Sequence, residues 1–340
     1  MAIAFFLFIF AEPLQVQSID LSRLTERIDQ IQITETGDLV LLNAVRGKVY
    51  LVHDDKLDQT FSISELFGSE KAEKGQKPKH IIMALGQESV FLCWSGDKKI
   101  HHLDFKGHKK ETLKADHPIW DLEVEGDRLF AFNPHFFNRS HSLCSVFEIP
   151  SYEKTSIKVK PRDIFKPFPK TLDGMDKKMY FSMSLQGGKD VFGDDIYFIP
   201  ATSNTLFRVS DQKVVDEWNL PFEPKNTFPT VNKRAKARAA FNSPSSTVMT
   251  IQRKHKLISY VNKVETDGSF VFGLYKSNHE KGQTDSTLFC FDIPSERVVW
   301  QQQFESSTLQ LVAVQFGAVW IFEPLTRVLQ KIPFVRQANE

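Results

Sequence analysis

Residues 37–55, GDLVLLNAVRGKVYLVHDD, decide how this chain folds. A Gly-Asp turn leads into a β run at 39–42. A polar turn at 43–47 reverses the chain, and a second β run at 48–53 ends on an Asp pair. Just ahead lies a third run, 30–34, with Ile31 and Ile33 at alternate positions. Three short strands joined by tight turns form a meander, and a meander cannot bury both of its faces alone.

The same phrase returns at Glu88, Gly126, Gly193, Asp267 and Gly317, each time after a short apolar-rich run: HIIMAL, IWDLEVE, MYFSMSL, LISYVNKVE and LQLVAVQ. Six units in 340 residues average about 57 residues, compatible with a repeat architecture carrying long loops. The runs are rich in Val, Ile, Phe, Leu and Trp and are cut by Gly, Asn, Asp and Pro, which disfavours helical repeats. The pattern predicts an all-β, six-bladed β-propeller of four-stranded antiparallel blades, with a β-sandwich or several small β domains as the rival. Phe supplies 30 residues, and large flat side chains on both faces of a blade suit blade-on-blade packing. The blades fall near 22–61, 79–115, 117–156, 178–220, 257–302 and 308–335. The last lacks one strand, which residues 14–21 (LQVQSIDL) supply, so that the two ends of the chain close the ring.

Two stretches carry a resemblance. Residues 203–209, SNTLFRV, resemble the "D/N-T-I-Y-R" strand, and residues 263–272, KVETDGSFVF, the "E-T-D-x-x-x-F" strand, of six-bladed propellers of secreted bacterial proteins related to the NHL and TolB types. The resemblance implies the fold and, only loosely, a role. Members commonly carry a lipoprotein Cys near the start, and this chain has none there.

Residues 1–11 include an unbroken apolar run from Ala2 to Ala11, too short to span a bilayer as a helix. It reads as the apolar region of an export signal lacking its basic lead, which places the propeller at 12–340 in the periplasm or at the cell surface, with the cytoplasm as the alternative. Lys plus Arg total 43 and Asp plus Glu 42, so no global charge favours nucleic acid. Cys93, Cys144 and Cys290 fall in different blades and read as apolar filler rather than as a disulfide or zinc set.

No G-x-S-x-G, P-loop, H-E-x-x-H or paired C-x-x-C occurs. The innermost strands of a propeller line its axis. The residues at or near the start of those runs are His80, Trp120, Tyr180, Tyr260 and Gln310, a set suited to a ligand funnel and, lacking a carboxylate, not to catalysis. His102 and Asp104 share a strand face as a two-ligand pair, short of what zinc needs. A second feature is the span 224–264, which contains no Asp or Glu. Lys233, Arg234, Lys236, Arg238, Arg253 and Lys254 within it form a candidate patch for an acidic glycan, phosphate-bearing surface or acidic partner. The reading is therefore a monomeric, non-catalytic binding or interaction propeller whose partner is a protein, small molecule or glycan. No cofactor is implied. The alternative is a lactonase-, lyase- or hydrolase-like enzyme with Ca2+ in the axial channel.

Overall fold

The described residues form six four-stranded antiparallel sheets. The computed structural model describes residues 16–25, 27–54, 56–66, 80–133, 142–159, 187–200, 204–222, 260–278, 284–306, 308–315 and 317–334. Blade one holds β2 (Gln30–Ile33), β3 (Leu39–Asn43), β4 (Lys48–His53) and β5 (Lys56–Ser62). Blade two holds β6 (Ile81–Gly86), β7 (Ser89–Trp94), β8 (Lys99–Asp104) and β9 (Lys109–Lys114). Blade three holds β10 (Asp121–Glu125), β11 (Arg128–Phe132), β12 (Ser142–Glu148) and β13 (Lys154–Lys158). Blade four holds β14 (Gly188–Phe192), β15 (Asp195–Ile199), β16 (Thr205–Ser210) and β17 (Lys213–Asn219). Blade five holds β18 (Tyr260–Thr266), β19 (Phe270–Asn278), β20 (Thr284–Asp292) and β21 (Arg297–Phe304). Blade six holds β22 (Gln310–Gln315), β23 (Ala318–Glu323) and β24 (Val328–Pro333), with β1 (Gln17–Asp20) as its outer strand. The first strand of each blade touches its counterparts on either side, β2 meeting both β6 and β22, and so the ring closes around an axis.

The core is not central but divided into six, one apolar cluster at each interface between blades. β3 shows how the sequence produces this. Leu39 and Leu41 join the cluster shared with blade six, whereas Val40 and Leu42 join the one shared with blade two. Alternate side chains point to opposite faces and both faces are covered, so the run is apolar throughout rather than alternating. Outer strands differ: β21 alternates exposed and half-buried positions along its whole length.

The recurring turn has a conformational cause. Between the first two strands of each blade sits a residue with positive φ: Gly37, Gly126, Gly193, Gly268 and Gly317, with Glu88 in blade two. Glycine carries no Cβ penalty there, so the phrase repeats; Glu88 accepts the strained region at a cost of about 1–2 kcal/mol.

Blade six is built from both ends of the chain. β1 pairs antiparallel with β24, Gln17 opposite Lys331 and Asp20 opposite Val328. The ladder continues through the Leu21 N–H, which donates to the Arg327 carbonyl at 3.0 Å, and Arg327 donates in turn to the Thr25 carbonyl at 3.0 Å. Leu21 is fully buried beside Trp320, Phe322 and Leu329. The expected closing strand at 14–21 is thus present over its described part.

Candidate axial binding site

Inner strands present a physical difficulty: each has a sheet neighbour on one edge only, and backbone groups on the other edge need partners. In this ring side chains from the adjacent blade supply them. Gln30 Oε1 accepts from the Met83 N–H at 2.8 Å, and Gln32 Nε2 donates to the Met83 carbonyl at 2.8 Å, tying blade one to blade two. Asp190 Oδ2 accepts from the Thr266 N–H at 2.6 Å, tying blade four to blade five. Lys263 donates to the Val312 carbonyl at 3.2 Å, tying blade five to blade six.

Where the inner strands begin, the axis widens into a cavity of about 350 Å³. Its wall includes Asp29, Gln30 and Gln32 of blade one, His80 and Met83 of blade two, and Asp121 and Glu123 of blade three. Lys189, Lys263, Lys276 and Gln310 complete it from blades four to six. Such a volume matches a small-molecule site, although most ligand pockets are more apolar.

Charge is concentrated on one arc. Lys189 pairs with Asp121 at 2.8 Å across the interface of blades three and four and lies over the Phe132 ring, 5.5 Å from its centroid. Lys263 pairs with Glu265 on its own strand. Burial works against the Lys263 ammonium, but Glu265, Glu123 and Asp190 outweigh it and hold its pKa above the ordinary value. Burial raises Glu123 to about 8, with Lys263 pulling the other way, and it raises Asp190 well above the usual carboxylate range with help from Glu265 and Glu123. Glu123 therefore holds its proton more tightly than an ordinary carboxyl. On the far side burial lowers His80, which is a neutral imidazole with Nε2 3.4 Å from Gln30 Nε2.

Of the residues expected at the axis, His80 and Gln310 stand on the cavity wall. Trp120 is displaced from it, lining a separate small crevice with Phe132, Leu143 and Phe198 between blades three and four. Tyr260 opens β18, and Tyr180 lies outside the described residues. The candidate patch of Lys233, Arg234, Lys236, Arg238, Arg253 and Lys254 also lies outside them. The inner strands also carry carboxylates that sequence reading did not single out: Asp121, Glu123, Asp190 and Glu265. Polar residues inside an otherwise apolar inner strand, as in DLEVE and KVET, were the available signal. His102 and Asp104 do not act as a pair: His102 Nδ1 lies 2.8 Å from the Tyr152 hydroxyl and its ring stacks on Phe91, whereas Asp104 accepts from the His108 N–H at 2.8 Å. Cys93, Cys144 and Cys290 are buried free thiols whose pKa burial pushes up. Among the described residues no three His, Cys, Asp or Glu side chains converge as a metal-ligand group, and no helix is long and apolar enough to cross a membrane.

Solved structures share this architecture. A member of the DUF4221 family from Bacteroides vulgatus matches with a TM-score of 0.60 at 8% identity, over 94% of this chain and 96% of the other. A candidate exported protein from Bacteroides fragilis matches at 0.51 and 10% identity, over 90% and 83%. Virginiamycin B lyase from Staphylococcus aureus matches at 0.50 and 7% identity, over 94% and 99%. The chain is a six-bladed β-propeller. At these identities the likeness is one of fold. No protein-family model and no curated protein matches the sequence.

Proposed function

We propose that this propeller is a binding protein that holds a small polar ligand in its axial cavity, and that it works outside the cytoplasm. The observation that carries the binding role is the 350 Å³ cavity walled by both charges and amides at the mouth of the ring. A ring of blades leaves a central channel in any case; here its mouth is lined by charged and amide side chains able to meet a polar ligand. Export is supported by the apolar run from Ala2 to Ala11, and fractionation of cells expressing the full chain tests it. The binding role is tested by thermal melting against a panel of small polar compounds. A ligand at a hundredfold excess over its Kd stabilises the fold by about 2.7 kcal/mol. The reading requires at least one compound to raise Tm and Gln310→Trp, which fills the cavity mouth, to abolish the rise. A rise that survives this substitution places the ligand elsewhere.

Glu123 favours a second reading, a lyase- or hydrolase-like enzyme. A carboxylic acid with a pKa raised to about 8, with Lys263 close enough to oppose that rise, has the protonation state of a general acid. In that reading Glu123 is the proton donor and Asp121 the carboxylate available to Ca2+. A calcium titration separates the two: an upward Tm shift at low metal concentration, lost in Asp121→Asn, favours the enzyme.

A further inference from the structure

We propose that two copies of this chain associate through the outer edge of β21, the two strands meeting antiparallel about a twofold axis at Gln302. The dimer takes the place of the monomer expected from sequence. Since this edge lies on the rim of blade five, the contact does not depend on the axial cavity.

An outer strand leaves one row of backbone N–H and C=O groups without a sheet partner, and proteins protect such rows with charge or by keeping the strand short. Five of the six blades do so. β9 (KKETLK) has four charged residues in six, β13 (KTSIK) has a lysine at each end, and β17 (KVVDEWN) carries Lys213, Asp216 and Glu217. β5 (KLDQTFS) carries Lys56 and Asp58, and β1 (QSID) is four residues long and ends on Asp20. β21 (RVVWQQQF) is the exception, eight residues with one charge, Arg297 at its start. A bulge at Val299 interrupts its pairing with β20, but Trp300 to Phe304 then run in unbroken register against Cys290 to Ser286. β21 ends its sheet, and among the described residues no backbone group outside blade five bonds to it.

That straight stretch is complementary to itself. Residues 300–304, WQQQF, read nearly alike in both directions about Gln302. Laid antiparallel on a second copy, Gln302 stands opposite Gln302, Gln301 opposite Gln303, and Trp300 opposite Phe304. Gln301 and Gln303 are exposed, whereas Trp300, Gln302 and Phe304 are half-buried. Alternation therefore gathers the Gln301 and Gln303 amides on one face and the aromatic pair on the other. Aromatic pairs and amide ladders strengthen such a contact, and like charges directly opposite weaken it. No like charges meet here, because the exposed Glu305 falls opposite Val299. Other edges fail the same test: about its centre β17 sets Asp216 on Asp216, and β13 sets Lys154 against Lys158. A twofold contact uses up both edges, so association stops at the dimer and does not run on into a filament.

The test is analytical ultracentrifugation of the full chain over a concentration series, with circular dichroism to check that each variant is folded. The natural chain should show a monomer–dimer equilibrium and no larger species. Gln301→Lys with Gln303→Lys sets lysine opposite lysine twice across the axis and should weaken the dimer about tenfold. Gln301→Glu with Gln303→Lys sets opposite charges there instead and should tighten it. If either double variant is unfolded, Gln302→Lys, which places a lysine on the axis, serves for the weakening arm. Gln59→Lys, on the outer strand of blade one, should leave the equilibrium unchanged. A chain that stays monomeric throughout the series overturns the proposal, even if it takes up a synthetic peptide of sequence VWQQQFE at this edge. A dimer that the β21 variants leave unchanged, or that Gln59→Lys disrupts, overturns it as well.

Discussion

The two arcs of the inner wall meet the same demand by different means. Between blades one and two, Gln30 and Gln32 satisfy both backbone groups of Met83 with neutral amides. Across blades three to five the same kind of edge is bridged by Asp121, Lys189, Asp190, Lys263 and Glu265. Ionic groups are the costlier solution, since each loses hydration that an amide gives up more cheaply. A ring that closes with glutamines on one side does not need buried charge on the other for closure. The buried charge, together with the cavity it faces, is what points beyond structure.

The sharpest way to break this comparison is Lys263→Met. It leaves Glu265 partnerless and removes the tie to Val312, so urea unfolding should show a loss of about 3–5 kcal/mol. An effect below about 1 kcal/mol would mean that the ionic arc is no more costly to disturb than the amide arc. Gly188→Ala tests how tightly that arc is built. A Cβ there would meet Val264 Cγ2 at 2.6 Å and the Lys263 carbonyl carbon at 2.7 Å, so overpacking should cost about 1–3 kcal/mol.

Acidity sharpens it further. The folded-state pKa of Glu123 lies near 8, above its unfolded value, so its contribution is fully present below the unfolded pKa and is lost as pH rises through about 8. Stability of the natural chain relative to Glu123→Gln should therefore fall between about pH 4.5 and pH 8, at up to roughly 1.4 kcal/mol per unit. A flat difference would show that Glu123 is ionised throughout. On the amide arc, Gln32→Ala should cost about 1 kcal/mol, the net worth of one hydrogen bond, with little dependence on pH. The smallest effect belongs to the turn: Glu88→Gly relieves the one non-glycine among the six and should stabilise by up to about 1 kcal/mol in thermal melts.

The fold was legible because its causes are local. The positive-φ turn imposes glycine at Gly37, Gly126, Gly193 and Gly317, and full burial of both faces makes runs such as Leu39 to Leu42 apolar without alternation. Closure was legible too, since blade six lacked a strand and residues 14–21 offered one. The site was less so. His80 and Gln310 stand on the cavity wall, but Glu123 and Lys263 lie within strands where one residue's shift moves a side chain from bore to interface. Adjacent Lys189 and Asp190 show this, the first reaching blade three and the second blade five. Which inner-strand positions face the axis depends on how six blades tilt together, and no single repeat encodes that.

The most direct measurement uses the inert thiols of the chain. Cys93, Cys144 and Cys290 are buried with raised pKa, so a single Gln310→Cys should be the reactive site toward maleimide. If the axial cavity is the binding site, that cysteine labels readily in the free protein and bound ligand slows it by the ligand's occupancy. Labelling at an unchanged rate with ligand saturating the protein would contradict the account.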